Sequence, residues 1–299
     1  MRVILFFIDG LGLGPAGENN PLSTTSTPCL NQLLDKHSLT IEAVGTNNQV
    51  TALYALDANL GVPRLPQSAT GQTTLLTGIN AAKSLGRHLR GFPNEALRKI
   101  LATEGILKKV LLLGKSPVFI NGYRPEFFTQ IEEGERFYSA TTLMNLYTGL
   151  HFHSFDDMAA GLSVYSDVTN EVLHDIGFDV PFVQPEDAGE IVARRLSTHH
   201  FVLFEYFLTD MVAHKQNREK AAYSISVIDR FLCGIITHID LSDTLLIITS
   251  DHGNIEDLST SSHTANPVPF LLIGKRPLNL PVPHDLTGVT PYIINILSR

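Results

Sequence analysis

Two short segments combine aspartate with histidine at spacings that suit metal chemistry. In Thr209-Asp210-Met211-Val212-Ala213-His214 a carboxylate and an imidazole stand four residues apart. On a helical turn they share one face and can reach a single ion, although a surface Asp–His pair fits the same spacing. Ser250-Asp251-His252-Gly253 puts an adjacent pair straight after an apolar run. That pair can aim into one crevice, or form a polar turn. His263 precedes a further apolar run, and Asp9 closes the first one. A carboxylate at the carboxyl end of a buried strand lies where α/β sheets place ligands, though an N-cap or turn accounts for Asp9 equally well. Taken together, carboxylates and imidazoles gather at strand ends. That mixture suits zinc, manganese or iron rather than calcium. Two clusters suggest two ions, the arrangement that stabilises both attacking and leaving oxygens in phosphoryl transfer.

Such chemistry also needs a nucleophile. Gln67-Ser68-Ala69-Thr70-Gly71-Gln72 reads as a loop entering a short helix, with Ser68 at or near its N-terminus. Free N–H groups there favour an anion, but only by about 0.3–1 kcal/mol at an exposed site, too little to ionise a serine. A bound metal lowers a ligand's pKa much further; without one, a capping serine is the simpler reading. Two other motifs carry no phosphate chemistry. Gly10, Gly12 and Gly14 are spaced GxGxG rather than GxGxxG, directly after an acidic residue that would repel a pyrophosphate. Leu113-Gly114-Lys115-Ser116 ends like a P-loop, yet Lys109 stands where the motif needs glycine.

The elements that must position these residues are short apolar runs with helical patterns between them. Val3 to Ile8, Val110 to Leu113, Phe201 to Phe207, Leu245 to Thr249 and Phe270 to Ile273 read as buried strands. Thr27-Pro28 opens a helix through Leu34, Arg218 to Ile239 has helical apolar spacing, and a closing helix follows Gly288. Alternation of this kind predicts an α/β fold with a mostly parallel sheet flanked by helices. The chain between the two chemistry-bearing halves is looser and richer in aromatics and histidines. It reads as a small inserted cap domain over 86–199, against a metal-binding core formed by 1–85 and 200–299.

The 299-residue chain is 43% hydrophobic and 17% charged, enough to bury a substantial core. A net charge of -8 and the absence of a basic run argue against nucleic acid as a partner. Cys29 and Cys233 form no CxxC or disulfide framework, and no apolar stretch is long enough for a membrane span. The first apolar run is too short for a signal peptide. A cytoplasmic setting is the expectation.

The segments resemble the metal-binding core of the cofactor-independent phosphoglycerate mutases and phosphopentomutases, within the alkaline phosphatase superfamily. The resemblance rests on Asp9-Gly10, Gln67 to Gln72, Asp210-Met211-Val212-Ala213-His214, Asp251-His252-Gly253-Asn254 with Glu256, His263-Thr264-Ala265-Asn266-Pro267-Val268-Pro269, and Asp285-Leu286-Thr287 before the closing helix. It covers roughly 1–80 and 200–299. It implies an alkaline-phosphatase-like core with two divalent ions, one held by Asp210, His214 and His263, the other by Asp9, Asp251 and His252 with Ser68 touching it. Manganese is the ion the resemblance implies first, with zinc and magnesium serving relatives. It further implies a phosphoserine at Ser68 that passes its phosphoryl group to water or to a sugar hydroxyl. Thr70 is a second candidate nucleophile, because a threonine does this work in phosphopentomutases. Gln72 stands where the mutases carry histidine, and the 86–199 span is shorter than the insert of the glycerate mutases.

The expected function is therefore two-metal phosphoryl transfer, as a phosphomutase or phosphatase on a small phosphorylated metabolite. Arg87, His88, Arg90 and Arg124 are candidates for the substrate's phosphate, since guanidinium forks suit that group; solvated surface positions are the alternative. His151, His153, Asp156 and Asp157 form a polar cluster in the cap that reads as a surface loop. A phosphodiesterase on the same core and a metal-stabilised binding protein without catalysis are the competing readings.

Overall fold

The computed structural model describes residues 1–134, 137–276 and 280–299. Six strands form one mixed sheet: β1 Arg2–Ile8, β2 Thr51–Leu56, β3 Pro117–Phe119, β4 Phe201–Tyr206, β5 Thr244–Thr249 and β6 Val268–Gly274, in the order β2-β6-β5-β1-β4-β3. β1 lies at the centre, parallel to β4 and β5, and β3 is parallel to β4. Only β6 runs against its neighbours, pairing antiparallel with β5 and β2. The expected α/β architecture with a mostly parallel sheet is the one present.

Side chains of β1 alternate between two cores. Ile4, Phe6 and Ile8 share one with Ile225, Ile228 and Phe231 of the helix Arg218–His238. Val3, Leu5 and Phe7 share the other with Leu75, Leu107 and Ile293, from the helices Ser68–Thr77, Ile106–Leu112 and Val289–Leu297. Both faces of the strand are covered, so its apolar run is unbroken rather than alternating. Each such side chain contributes roughly 1.5–3 kcal/mol on burial. Phe6 packs edge-on against Phe231 at 5.1 Å between ring centroids, and its truncation would cost about 3–5 kcal/mol.

One expectation is corrected. Val110 to Leu113, read as a strand, lies on the helix Ile106–Leu112 and its C-cap. Four apolar residues carry no period that separates strand from helix. Here Ile106, Leu107 and Val110 are buried while Lys108 and the edge leucines face outward, a helical stripe. The edge strands β2 and β3 were not anticipated. Within the 86–199 span, β3 joins the sheet, and the helix Pro185–Arg194 lies along Arg218–His238.

The register explains why the polar residues meet. Phe7 pairs with Thr249 and Ile8 with Tyr206, so β1, β4 and β5 end level. Asp9, Asp251 and the helix Leu208–His214 therefore follow at one sheet edge. β6 enters from that same edge because it runs the other way, Phe270 opposite Thr249. The segment carrying His263 is thus delivered to the others.

Candidate metal centre

Two triads stand side by side at this edge. In the first, His252 Nε2 lies 3.3 Å from Asp9 Oδ1 and 3.5 Å from Asp251 Oδ2. In the second, His214 Nε2 lies 3.2 Å from Asp210 Oδ2, and His263 Nε2 lies 3.5 Å from Asp210 Oδ1. The His214 and His263 Nε2 atoms approach each other to 3.2 Å. The rings of His252 and His263 stack at 3.7 Å and join the two triads.

The imidazoles are held from behind. His263 Nδ1 is 2.8 Å from the carbonyl of Pro66, and His214 Nδ1 is 2.7 Å from that of Ser261. A carbonyl accepts only, so each Nδ1 donates and each neutral ring turns its Nε2 lone pair inward. Two lone pairs aimed at one another and at a carboxylate repel unless a cation lies among them. Asn254 Nδ2 donates to Asp210 Oδ1 at 2.7 Å, and Gln72 Nε2 donates to Asp9 Oδ2 at 3.0 Å. Gln72 thus satisfies one carboxylate oxygen and leaves the other. Asp9 Oδ1 and Asp251 Oδ2 are buried without a hydrogen-bond partner among the described residues, a costly arrangement for charged oxygens.

Electrostatics agree. Burial first, then the Asp251, Asp210 and Glu205 carboxylates, raises the pKa of Asp9 well above the usual carboxylate range. Burial and Asp210 push Asp251 up to about 8. Burial, then His263, holds His252 well below the ordinary imidazole value. Burial thus keeps His252 neutral and favours protons on the carboxyls beside it, where a cation would take their place. The donor set fits a pair of divalent cations, which would reverse these shifts.

Ser68 opens the helix Ser68–Thr77, after Gln67 in extended conformation. Its Oγ stands 3.0 Å from His252 Nε2. The first turn of a helix leaves N–H groups without helical partners. Gly71 allows the helix to lie this close, since a Cβ there would come within 2.6 Å of the Asp251 carbonyl oxygen. Thr70, the other candidate, is fully buried; its hydroxyl donates to the Gln67 carbonyl and accepts from the Leu89 N–H.

Glu256, named in the motif but given no role, ties the loops together. Its Oε2 accepts from Gly12 N at 2.9 Å and Asn254 N at 2.7 Å, and its Oε1 accepts from Asn266 Nδ2 at 3.0 Å and from the Thr264 hydroxyl.

A cleft of about 560 Å³ opens over Asp9, Ser68, Gln72 and Asp210. Arg124 lines it, whereas Arg87, His88 and Arg90 do not. His88 instead places Nε2 3.1 Å from the Asn59 carbonyl. The wall is aromatic: Tyr123 stacks on Phe127 at 4.0 Å, and Phe92 meets Phe137 at 5.8 Å. Sequence reasoning missed Glu205. It is buried in the cleft, accepts from Thr141 Oγ1 at 2.5 Å, and burial raises its pKa to about 7. The available signal was an acid inside an otherwise apolar strand run.

Comparison with known proteins accords with this geometry. Residues 176–298 match the model of the metalloenzyme superfamily. The 2,3-bisphosphoglycerate-independent phosphoglycerate mutase of Antithamnion sp. is 33% identical over 109 residues, which are 33% of this chain and 21% of that protein. The match therefore spans about a fifth of that relative's length. The phosphoglycerate mutase of Leishmania mexicana superposes with a TM-score of 0.52 at 14% identity, covering 99% of this chain and 95% of that one. The alkaline phosphatase of the Antarctic bacterium TAB5 superposes with a TM-score of 0.53 at 15% identity, covering 99% and 98%. Residues 176–298 are thus similar to the metalloenzyme superfamily, and the fold is alkaline-phosphatase-like.

Proposed function

We propose that this chain is a two-metal phosphoryl-transfer enzyme, a phosphomutase or phosphatase acting on a small phosphorylated metabolite through a phosphoserine at Ser68. The observation that carries the reading is the pairing of two adjacent Asp/His triads with a serine at a helix N-terminus against His252, and with buried carboxylate oxygens left unpartnered. Asp9, Asp251 and His252 would hold one ion beside Ser68, and Asp210, His214 and His263 the other. Manganese is the ion first proposed, with zinc or magnesium in its place. Bound there, the ions would supply charge for three carboxylates, lower the pKa of the serine hydroxyl and polarise the phosphate.

The chain's own groups account for the rest. Ser68 Oγ would attack phosphorus, forming one O–P bond as the bond to the leaving oxygen breaks. The open first turn of its helix would stabilise the charge gathering on the phosphoryl oxygens. Arg124 would orient the non-transferred part of the substrate with a guanidinium fork. The aromatic wall would exclude bulk water, strengthening each of these contacts. Thr70, with its hydroxyl engaged by backbone, would position the helix instead. The 86–199 span would serve as the cap, its share of the cleft including Phe92, Tyr123, Arg124, Phe127, Phe137 and Tyr165. Among the described residues no helix is long and apolar enough to cross a membrane. With Cys29 and Cys233 as free thiols, a cytoplasmic enzyme is the setting proposed.

The test is turnover of an aryl phosphate by protein reconstituted with manganese, with acid quenching and mass spectrometry of the peptide containing Ser68. A phosphorylated Ser68 and loss of turnover in Ser68→Ala are expected. Full turnover in that variant would overturn the nucleophile assignment.

A further inference from the structure

Outside this centre, a second type of ligand cluster lies beside Gly122, a residue of the strand segment that lines the cleft. His151 Nε2 is 2.8 Å from Asp157 Oδ2, and His153 Nδ1 is 3.8 Å from the same oxygen. One ligand atom from each residue falls within 4.8 Å of the other two. Ligands around a tetrahedral zinc, at about 2.0–2.1 Å from the ion, stand roughly 3.3 Å apart, so small side-chain adjustments bring all three to one point.

The second observation is His153 itself. The residue is 4% exposed, and neither ring nitrogen has a hydrogen-bond partner among the described residues. A buried imidazole with both nitrogens idle loses its hydration for nothing in return. The surrounding backbone is well fixed. His153 bridges Gly122, its carbonyl accepts from Tyr123 N at 2.8 Å, and Asp157 closes a capping box with Ser154. Asn145 Nδ2 donates to the His151 carbonyl at 3.3 Å.

We propose that His151, His153 and Asp157 form a further cation site that takes zinc, or another borderline divalent ion with a preference for imidazole, and fastens the turn 151–157 to the strand segment carrying Tyr123 and Arg124. Two imidazoles and one carboxylate with an open fourth position are a zinc donor set. Hard magnesium would choose all-oxygen ligands. Arg195 lies near enough for Asp157 to influence it, and its Nε is likewise buried without a partner. Its guanidinium would suit an anion instead. Asp157 decides against the anion, since its carboxylate points at the shared centre and would repel one. The site is independent of Ser68 and of the two triads. Its consequence is a cleft wall whose rigidity depends on zinc, with Arg124 held at its end.

The experiment strips the full chain with chelator and titrates it with zinc by calorimetry, alongside visible spectra of the cobalt-loaded protein. His153→Ala is expected to bind one equivalent fewer than wild type and to lose one set of cobalt bands, while Ser68→Ala keeps that equivalent. His151→Ala, which removes a side chain that is 66% exposed and so outside the core, should weaken the same equivalent at least tenfold. Identical stoichiometry and spectra in wild type, His151→Ala and His153→Ala would overturn the site. So would protection of this turn by inorganic phosphate rather than zinc in hydrogen exchange. If the triads bind nothing, wild type should still take the one equivalent that His153→Ala lacks, which separates failure of the enzyme reading from failure of this one.

Discussion

The two triads share a sheet edge yet differ in what surrounds them. Asp251 and His252 are fully buried and Asp9 nearly so, and their carboxylates keep oxygens without partners. Around Asp210 the partners are nearly complete: Asn254 donates to it, and carbonyls fix both imidazoles. The side chain of His214 is nevertheless 42% exposed. The inner triad gains most from a cation and gives it up least readily. The outer triad is pre-aimed and open to the cleft, as suits an ion that must also meet substrate. Depth and hydrogen bonding thus divide the labour between two donor sets of three, two carboxylates with one imidazole inside and one carboxylate with two imidazoles outside.

The strongest way to break that contrast is Asp251→Asn. Removing an inner charge should cost turnover about 10³-fold or more, in line with losses at catalytic centres, and abolish one tightly held ion by elemental analysis; an unchanged ion count would equalise the triads. His214→Ala comes next. In a chelator titration the outer ion should leave first from wild type and be weakened about 100-fold in the variant, with the inner ion unmoved. Simultaneous loss of both ions would deny the difference in depth.

A third test concerns pH in metal-free protein. Burial holds the Glu205 pKa at about 7, against 4.5 in an unfolded chain. The native state therefore keeps a proton that the unfolded state releases. Stability from this source is complete below 4.5 and is lost as pH rises toward 7. Glu205→Gln should remove up to roughly 3 kcal/mol of that loss, seen as a flatter dependence of Tm between pH 5 and 8. An unaltered slope would assign the whole effect to Asp9 and Asp251. The smallest effect is expected from Asn254→Ala, which leaves every ligand in place and should weaken the outer ion about 10–100-fold, measured by competition with a metallochromic dye.

Much of this was legible because ligands followed uninterrupted apolar runs. β1, β4, β5 and β6 are buried on both faces, so composition alone marked them, and Asp9, Asp251 and His252 fell where such strands end. Ser68 at a helix start was equally readable. Val110 to Leu113 failed because so short a run has no period. β2 was missed because the burial of Thr51–Leu56 comes from pairing with β6, more than two hundred residues away in sequence. The same limit hid Glu205, whose partners Thr141 and Asn121 come from elsewhere in the chain. It also hid which arginine lines the cleft: Arg124 is brought there by tertiary contacts, while Arg87 and Arg90 look identical on paper.

Glu256 has a consequence for how the protein would live with a fluctuating supply of ions. It joins the Gly12 loop, the turn at Asn254 and the segment Thr264 to Asn266 without belonging to either triad. A Cβ at Gly12 would come within 2.2 Å of its carboxylate, so the loops are fitted around this one side chain. The scaffold is thereby assembled by protein groups alone. Such a frame would persist between occupants of the proposed sites, and the identity of a resident ion would then follow cellular availability as well as affinity.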